Sequence, residues 1–322
     1  MTSKGRPQSE AKLAVVRAAN AKLNDALKCC RICPRRCGVD RTAGKAGYCR
    51  AFQNPVVYSY APHRGEEPPI SGRNGSGTIF FSGCSMKCAY CQNYQFSQLG
   101  HGKEMSVPEL AACMLFLEKK GCHNINLVSP THYLPQILLA LEIALGEGLI
   151  IPLVYNTSGY ELTDTIKLLE GIVDIYLPDM RYADERMAAR YSDAPDYVKY
   201  DRDSVMLMHN QVGNLVLDEN GIAVKGLIIR LLVMPDGISA TEESLRYVRD
   251  KISPDVYLSI MSQYYPTYRA MEFKELSRGV TSREYKNVID TARRLGLNNG
   301  WIQEEPDARL LGTNIKPQKE IG

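Results

Sequence analysis

Cys84, Cys88 and Cys91 are the residues whose type and spacing could do chemistry. They form a Cys-x-x-x-Cys-x-x-Cys run directly after an apolar, strand-like segment. Thiolates select zinc or iron-sulfur clusters. Zinc sites usually join two separate Cys-x-x-Cys-like halves, but here all three ligands fall within eight residues, and the next cysteines are Cys113 and Cys122, the latter beside His123. A loop of this kind wraps one corner of a 4Fe-4S cubane and leaves one iron open to a further ligand. An open iron implies chemistry rather than structure alone.

A second set, Cys30, Cys33, Cys37 and Cys49, precedes it, with Cys29 able to replace Cys30. Four thiolates, with Gly38, Gly44 and Gly47 turning the chain, suit a closed four-coordinate site that either zinc or a second cluster could fill. Ten cysteines placed this way, with no apolar leader segment at the amino terminus, point to metal binding in a reducing cytoplasm rather than to disulfides. No stretch approaches the length of a membrane span. The net charge of +3 excludes a general polyanion binder, although Arg31, Arg35, Arg36, Arg41, Lys45 and Arg50 crowd the first cysteine set.

The 322 residues, 44% hydrophobic, suffice for one barrel-sized domain and a smaller annex. Residues 8–27 carry apolar positions near helical spacing, and 50–77 read as a loop-like connector rich in Pro and Gly. From there, apolar runs at 78–82, 124–128, 150–155, 172–177, 227–233 and 256–260 alternate with helical patterns at 107–119, 134–146, 163–170, 241–252 and 282–295. Six parallel strands of βα type follow. Ser106 with Glu109 makes a capping box, and Asn220-Gly221 marks a hairpin between the fourth and fifth strands. Such strands close partly into a barrel or open into a doubly wound sheet. In either case function gathers at their carboxyl ends, here at Ser82, residues 129–132, 156–159, Pro178 and Asp179, and residues 235–237.

The cysteine spacing, with Tyr90 just before the third cysteine, resembles the signature of the radical S-adenosylmethionine (SAM) superfamily. The resemblance implies an α/β fold, a partial (βα)6 TIM-like barrel of the radical SAM type. The expected domains are residues 1–77 (helix, cysteine module and connector), 78–300 (barrel) and 301–322 (C-terminal extension). It also implies that Cys84, Cys88 and Cys91 hold a 4Fe-4S cluster whose fourth iron chelates SAM. Reductive cleavage then yields methionine and a 5′-deoxyadenosyl radical that abstracts a hydrogen atom. Within the superfamily, the cluster loop and the segment starting at Arg230 are similar to the pyruvate formate-lyase activating enzymes. By position, Ser129, Pro130 and Thr131 replace the segment that contacts the methionyl amino group. Asn156, Thr157 and Ser158 lie near its carboxylate and ribose, Tyr90 packs near the adenine, and Arg230 belongs to the cofactor-binding set. Thr131 stands where that family has a carboxylate.

Candidate catalytic residues are His132 and Asp179 at strand ends and His63, which stands with Glu66 and Glu67 shortly before the cluster strand. The expected partners are a low-potential electron donor of flavodoxin or ferredoxin type and, if the activase resemblance extends to the substrate, a glycyl-radical enzyme. Radical modification of RNA, a peptide or a small metabolite is the second reading. A non-catalytic iron-sulfur redox or scaffold protein is the third.

Overall fold

The computed structural model describes residues 6–23, 25–303 and 319–320. Most of the expected extension at 301–322 therefore lies outside the described residues. One sheet organises the rest. Its strands are β1 (Val56–His63), β2 (Ser76–Phe81), β3 (Lys103–Glu104), β4 (Ile125–Val128), β5 (Leu153–Thr157), β6 (Ile175–Pro178), β7 (Val216–Leu217), β8 (Ala223–Leu232), β9 (Tyr257–Met261), β10 (Gly300–Ile302) and β11 (Lys319–Glu320). Their order is β11-β10-β9-β8-β6-β5-β4-β2-β1-β3, with β7 paired to β8. The run from β2 to β10 is parallel, and the two ends do not meet. The sheet is thus an open, partial barrel.

Strand alternation sorts the side chains onto two faces. Ile79, Phe81, Ile125, Leu127, Leu153 and Tyr155 point to the outer layer, where they pack with the helices at Val107–Lys119 and Leu134–Gly146. Val154, Ile175, Leu177, Ile228 and Trp301 point inward and enclose Ile70, which plugs the floor from the short helix Pro68–Ser71. Register places Thr78, Asn126 and Val154 in one inward row, and Asn156 beside Leu177 in the next. Polar groups among these inward positions line the space where a ligand would sit.

All six expected strands are present, and the Ser106 capping box forms with both reciprocal hydrogen bonds. The hairpin turns through Gly221 at φ 75°, with its N–H donating to the Asp218 carbonyl. Residues 50–77 are not a plain connector, however: they contain β1, which runs antiparallel to β2. Most β1 side chains are exposed, so no apolar alternation announces the strand, and Pro62 is tolerated there because β3, the strand beyond β1 among the described residues, pairs with Val56 and Val57 and not with Pro62. Two helices, Glu185–Ser192 and Tyr197–Val212, fill the insertion ahead of the hairpin. The expected helix at 241–252 ends at Tyr247 and finishes in a π-turn.

The amino-terminal helix Arg6–Leu23 docks on the helix Leu134–Gly146, where Asn20 donates to Leu138 O and to the Glu142 carboxylate. Beyond it the cysteine module folds across the carboxyl end of the sheet. Arg35 Nε donates to Ser85 O at 2.8 Å inside the cluster loop, and Thr165 donates to Ile32 O at 2.7 Å. Buried Arg41 donates to His132 O and Phe52 O. The annex is therefore part of the barrel mouth.

Candidate active site at the carboxyl end of the sheet

The cluster loop leaves β2 through Gly83, at φ 86°, where a Cβ would lie 2.4 Å from the carbonyl oxygen of Cys49. Only glycine fits, and the contact brings the two cysteine sets together. Neighbouring backbone pins the loop: Lys87 N donates to Ser192 O, Ala89 N to Tyr191 O, and Arg269 N to Ala89 O. Each sulfur faces a donor. Met86 N lies 3.4 Å from Cys84, Ser192 Oγ 3.1 Å and an Arg181 guanidinium nitrogen 3.4 Å from Cys88, and Ser97 Oγ 3.1 Å from Cys91. Donors aimed at sulfur favour thiolates. Burial opposes them, pushing the Cys84 thiol up to about 12 and raising Cys91. A cationic metal centre resolves that conflict, because its ligands bind deprotonated. The donor set therefore fits a cluster.

The second set has the same local turn. The backbone N–H of Arg35 serves Cys33, that of Ala51 serves Cys49, and Tyr48 N lies 3.4 Å from Cys37. Burial pushes Cys33 up to about 12 and raises Cys49. Among the described residues no three Cys, His, Asp or Glu side chains converge as a single metal ion requires.

Inside the barrel, strand ends assemble a polar network around Arg230. Its guanidinium donates to Asp179 at 2.7 Å and to Asn156 Oδ1 at 2.6 Å, and approaches Glu66 at 3.8 Å. Arg181 clamps the other Asp179 oxygen at 2.6 and 3.1 Å and reaches Cys88. Burial alone would raise the Asp179 carboxyl, but Arg230 and then Arg181 hold it below the usual carboxylate range. Asn156, Asp179 and Arg230, far apart in sequence, thus meet as one unit. Arg181 is not singled out by its local sequence. Its signal was its place two residues after Asp179, at a strand end.

The other candidates divide. Buried Tyr90 passes a hydrogen-bond chain from its hydroxyl to Tyr182, then Ser192, then Cys88. Ser129 adopts φ 55°, uncommon for a residue with a Cβ, while its N–H donates to Asn156 O; Pro130 is buried beside it. Thr131 and Thr157 both turn their hydroxyls to Glu161, and Tyr155 donates to Thr131. Glu161 thus sets a buried carboxylate beside Thr131; burial pushes it up to about 7, and one of its oxygens has no partner among the described residues. The Ser158 carbonyl accepts from Tyr197. His132 is buried and hydrogen-bonds Ser82 O at 2.8 Å, with burial lowering it to about 4. It props the cluster loop as a neutral ring. His63 pairs with Glu66 at 3.4 Å at the amino-terminal end of β2, opposite Ser76, away from the cluster loop.

The sequence model of the Radical SAM superfamily matches residues 78–202. An uncharacterized protein of Methanocaldococcus jannaschii is 30% identical over 279 residues, covering 84% of this chain and 76% of that one. Among solved structures, HydG, a maturase of the iron-iron hydrogenase, superposes with a TM-score of 0.44 at 12% identity over 70% of this chain and 50% of its own. The chain thus spans half the length of HydG. Methylornithine synthase gives 0.43 at 14% identity, over 97% and 82%. Among the described residues no helix is long and apolar enough to cross a membrane.

Proposed function

Because residues 78–202 form a Radical SAM superfamily domain, we propose that the chain is an activase-like radical enzyme whose target is a glycine Cα, or a carbon of comparable access, on a macromolecular partner. When bound, the 4Fe-4S cluster and SAM supply reductive sulfonium cleavage and a 5′-deoxyadenosyl radical that takes a hydrogen atom. Cys84, Cys88 and Cys91 hold the cluster. Arg181 links the Cys88 thiolate to the ionised Asp179 and orients both. Asn156, Asp179 and Arg230 form the polar wall for the amino-acid and ribose parts of SAM, with Ser129, Pro130, Thr131, Thr157, Ser158 and Tyr90 around it. Packing by the annex excludes water from this end of the sheet, which keeps the reacting groups oriented and the radical confined.

The Arg181 bridge from cluster cysteine to carboxylate is the observation that carries the reading. Cys30, Cys33, Cys37 and Cys49, which lie close enough to raise one another's thiols, are proposed to hold a second metal centre, zinc or a cluster. The substrate assignment is tested by anaerobic incubation with SAM and a candidate partner protein deuterated at glycine Cα. Deuterium in 5′-deoxyadenosine and a protein-based glycyl signal support it. Product carrying no label from any glycine would point to another substrate.

A further inference from the structure

The Lys87–Ala89 stretch, with Cys88 buried at its centre, borders a cleft of about 340 Å³, together with Arg50, Arg190, Tyr268, Arg269 and Phe273. We propose that this cleft is the docking site of a small acidic redox protein that delivers the electron the cysteine-held cluster consumes; the inference rests on the radical SAM reading above. The donor is oxidised by one electron and the centre is reduced by one.

Charge and position carry the inference. Four cations line the cleft, against Asp193 as its single acidic side chain. Asp193 is already engaged by Tyr48 and Arg35. Arg190 and Arg269 have carboxylate neighbours, Glu275 at 2.6 Å and Glu272 at 2.7 Å. Among the described residues Arg50 has no carboxylate partner and donates to Gln98 O, at 2.9 Å. The Lys87 ammonium, shielded from solvent, has no hydrogen-bond partner among the described residues. It lies on the face of Tyr48, 5.1 Å from the ring centroid, between the two cysteine sets. Arg50 is thus the cation of the rim left without a counter-charge, with the paired Arg190 and Arg269 beside it, and a basic rim of this kind attracts an acidic partner and speeds its encounter. Tyr268, stacked on Tyr94 of the segment after the cluster loop, and Phe273 supply aromatic anchors of the kind enriched at interface centres. An electron entering here meets the chain one residue from Cys88.

The test uses the holoenzyme, flavodoxin as the probe, and the double variant Arg50→Gln/Arg269→Glu. Two readouts are taken: the Kd for flavodoxin by titration, and 5′-deoxyadenosine formation driven by flavodoxin or by dithionite. The expected result is a Kd weakened about tenfold or more, and steep salt dependence of the wild-type association. The flavodoxin-driven rate should fall in parallel, with dithionite-driven product unchanged. Unchanged Kd in the variant overturns the proposal. So does wild-type flavodoxin binding that is indifferent to salt, or competed by millimolar inorganic phosphate with no dependence on the donor's charge, which would make the cleft a small-anion site. Absence of product with dithionite in the wild type sinks the radical reading instead, and the titration still decides the docking.

Discussion

The two cysteine sets sit back to back across Gly83 and share one device, a backbone N–H aimed at a sulfur, yet their surroundings differ. Around Cys84, Cys88 and Cys91 the side chains of Ser97, Arg181 and Ser192 add three more donors, one of them cationic and tied to the barrel interior through Asp179. Around Cys30, Cys33, Cys37 and Cys49 the donors found are backbone only, and the set lies against the sheet end rather than within it. The first set is wired to the ligand wall. The second meets only backbone donors at its sulfurs among the described residues, while its loop is tied to the sheet end through Arg35, Arg41 and Thr165. On the proposed function, the difference assigns the chemistry to the first set and a covering role to the second.

The largest expected effect separates the two directly. Cys88→Ala should bring dithionite-driven 5′-deoxyadenosine to background, whereas Cys33→Ala should lower bound metal but keep product formation. Iron, sulfide and product counts on both variants read this, and equal loss in the two would break the distinction.

Next comes the wiring. Asp179→Ala leaves Arg230 and Arg181 buried without their shared carboxylate, a change that costs about 3–5 kcal/mol. Chemical denaturation should show it, and the same substitution should weaken SAM binding. A loss below about 1 kcal/mol would mean that the network is not held as a unit.

Glu161, beneath the second set, gives a pH signature. Its carboxyl is about 7 in the folded chain against an ordinary 4.5, so the folded state keeps a proton that the unfolded state releases. Stability should therefore be fullest below pH 4.5 and fall as pH rises to about 7, by about 3 kcal/mol from this group. Glu161→Gln should remove that slope. A slope that survives in the variant would place its origin elsewhere.

The smallest effect sharpens the first set. Ser97→Ala deletes one hydrogen bond to Cys91, about 0.5–1.5 kcal/mol. Because donors to sulfur stabilise the more negative reduced state, the cluster's midpoint potential should move to lower values. An unmoved potential in spectroelectrochemical titration would show that the hydroxyl does not tune the cluster.

Much of this arrangement is legible in the sequence, for physical reasons. The six parallel strands announce themselves as apolar runs because both of their faces are covered. Cys84, Cys88 and Cys91 are readable because their spacing is local. Asn156, Asp179 and Arg230 are visible as strand-end residues, but their union depends on sheet register. Arg181 and Glu161 each join a near neighbour, Asp179 or Thr157, to a remote one, Cys88 or Thr131, and no local pattern encodes the remote contact. β1 stays hidden because an edge strand exposed to solvent needs no alternation. Thr131 and Thr157 are found by position, yet which way their hydroxyls turn is decided by Glu161.

The central claim is that the loop of Cys84, Cys88 and Cys91 holds a cluster with one iron open to SAM. Electron paramagnetic resonance of the dithionite-reduced protein, with and without SAM, tests it most directly. Using Cys33→Ala as the sample isolates the first centre. The expected result is a 4Fe-4S signal whose shape changes when SAM is added. A signal identical in the two samples would contradict an open, SAM-binding iron at this loop.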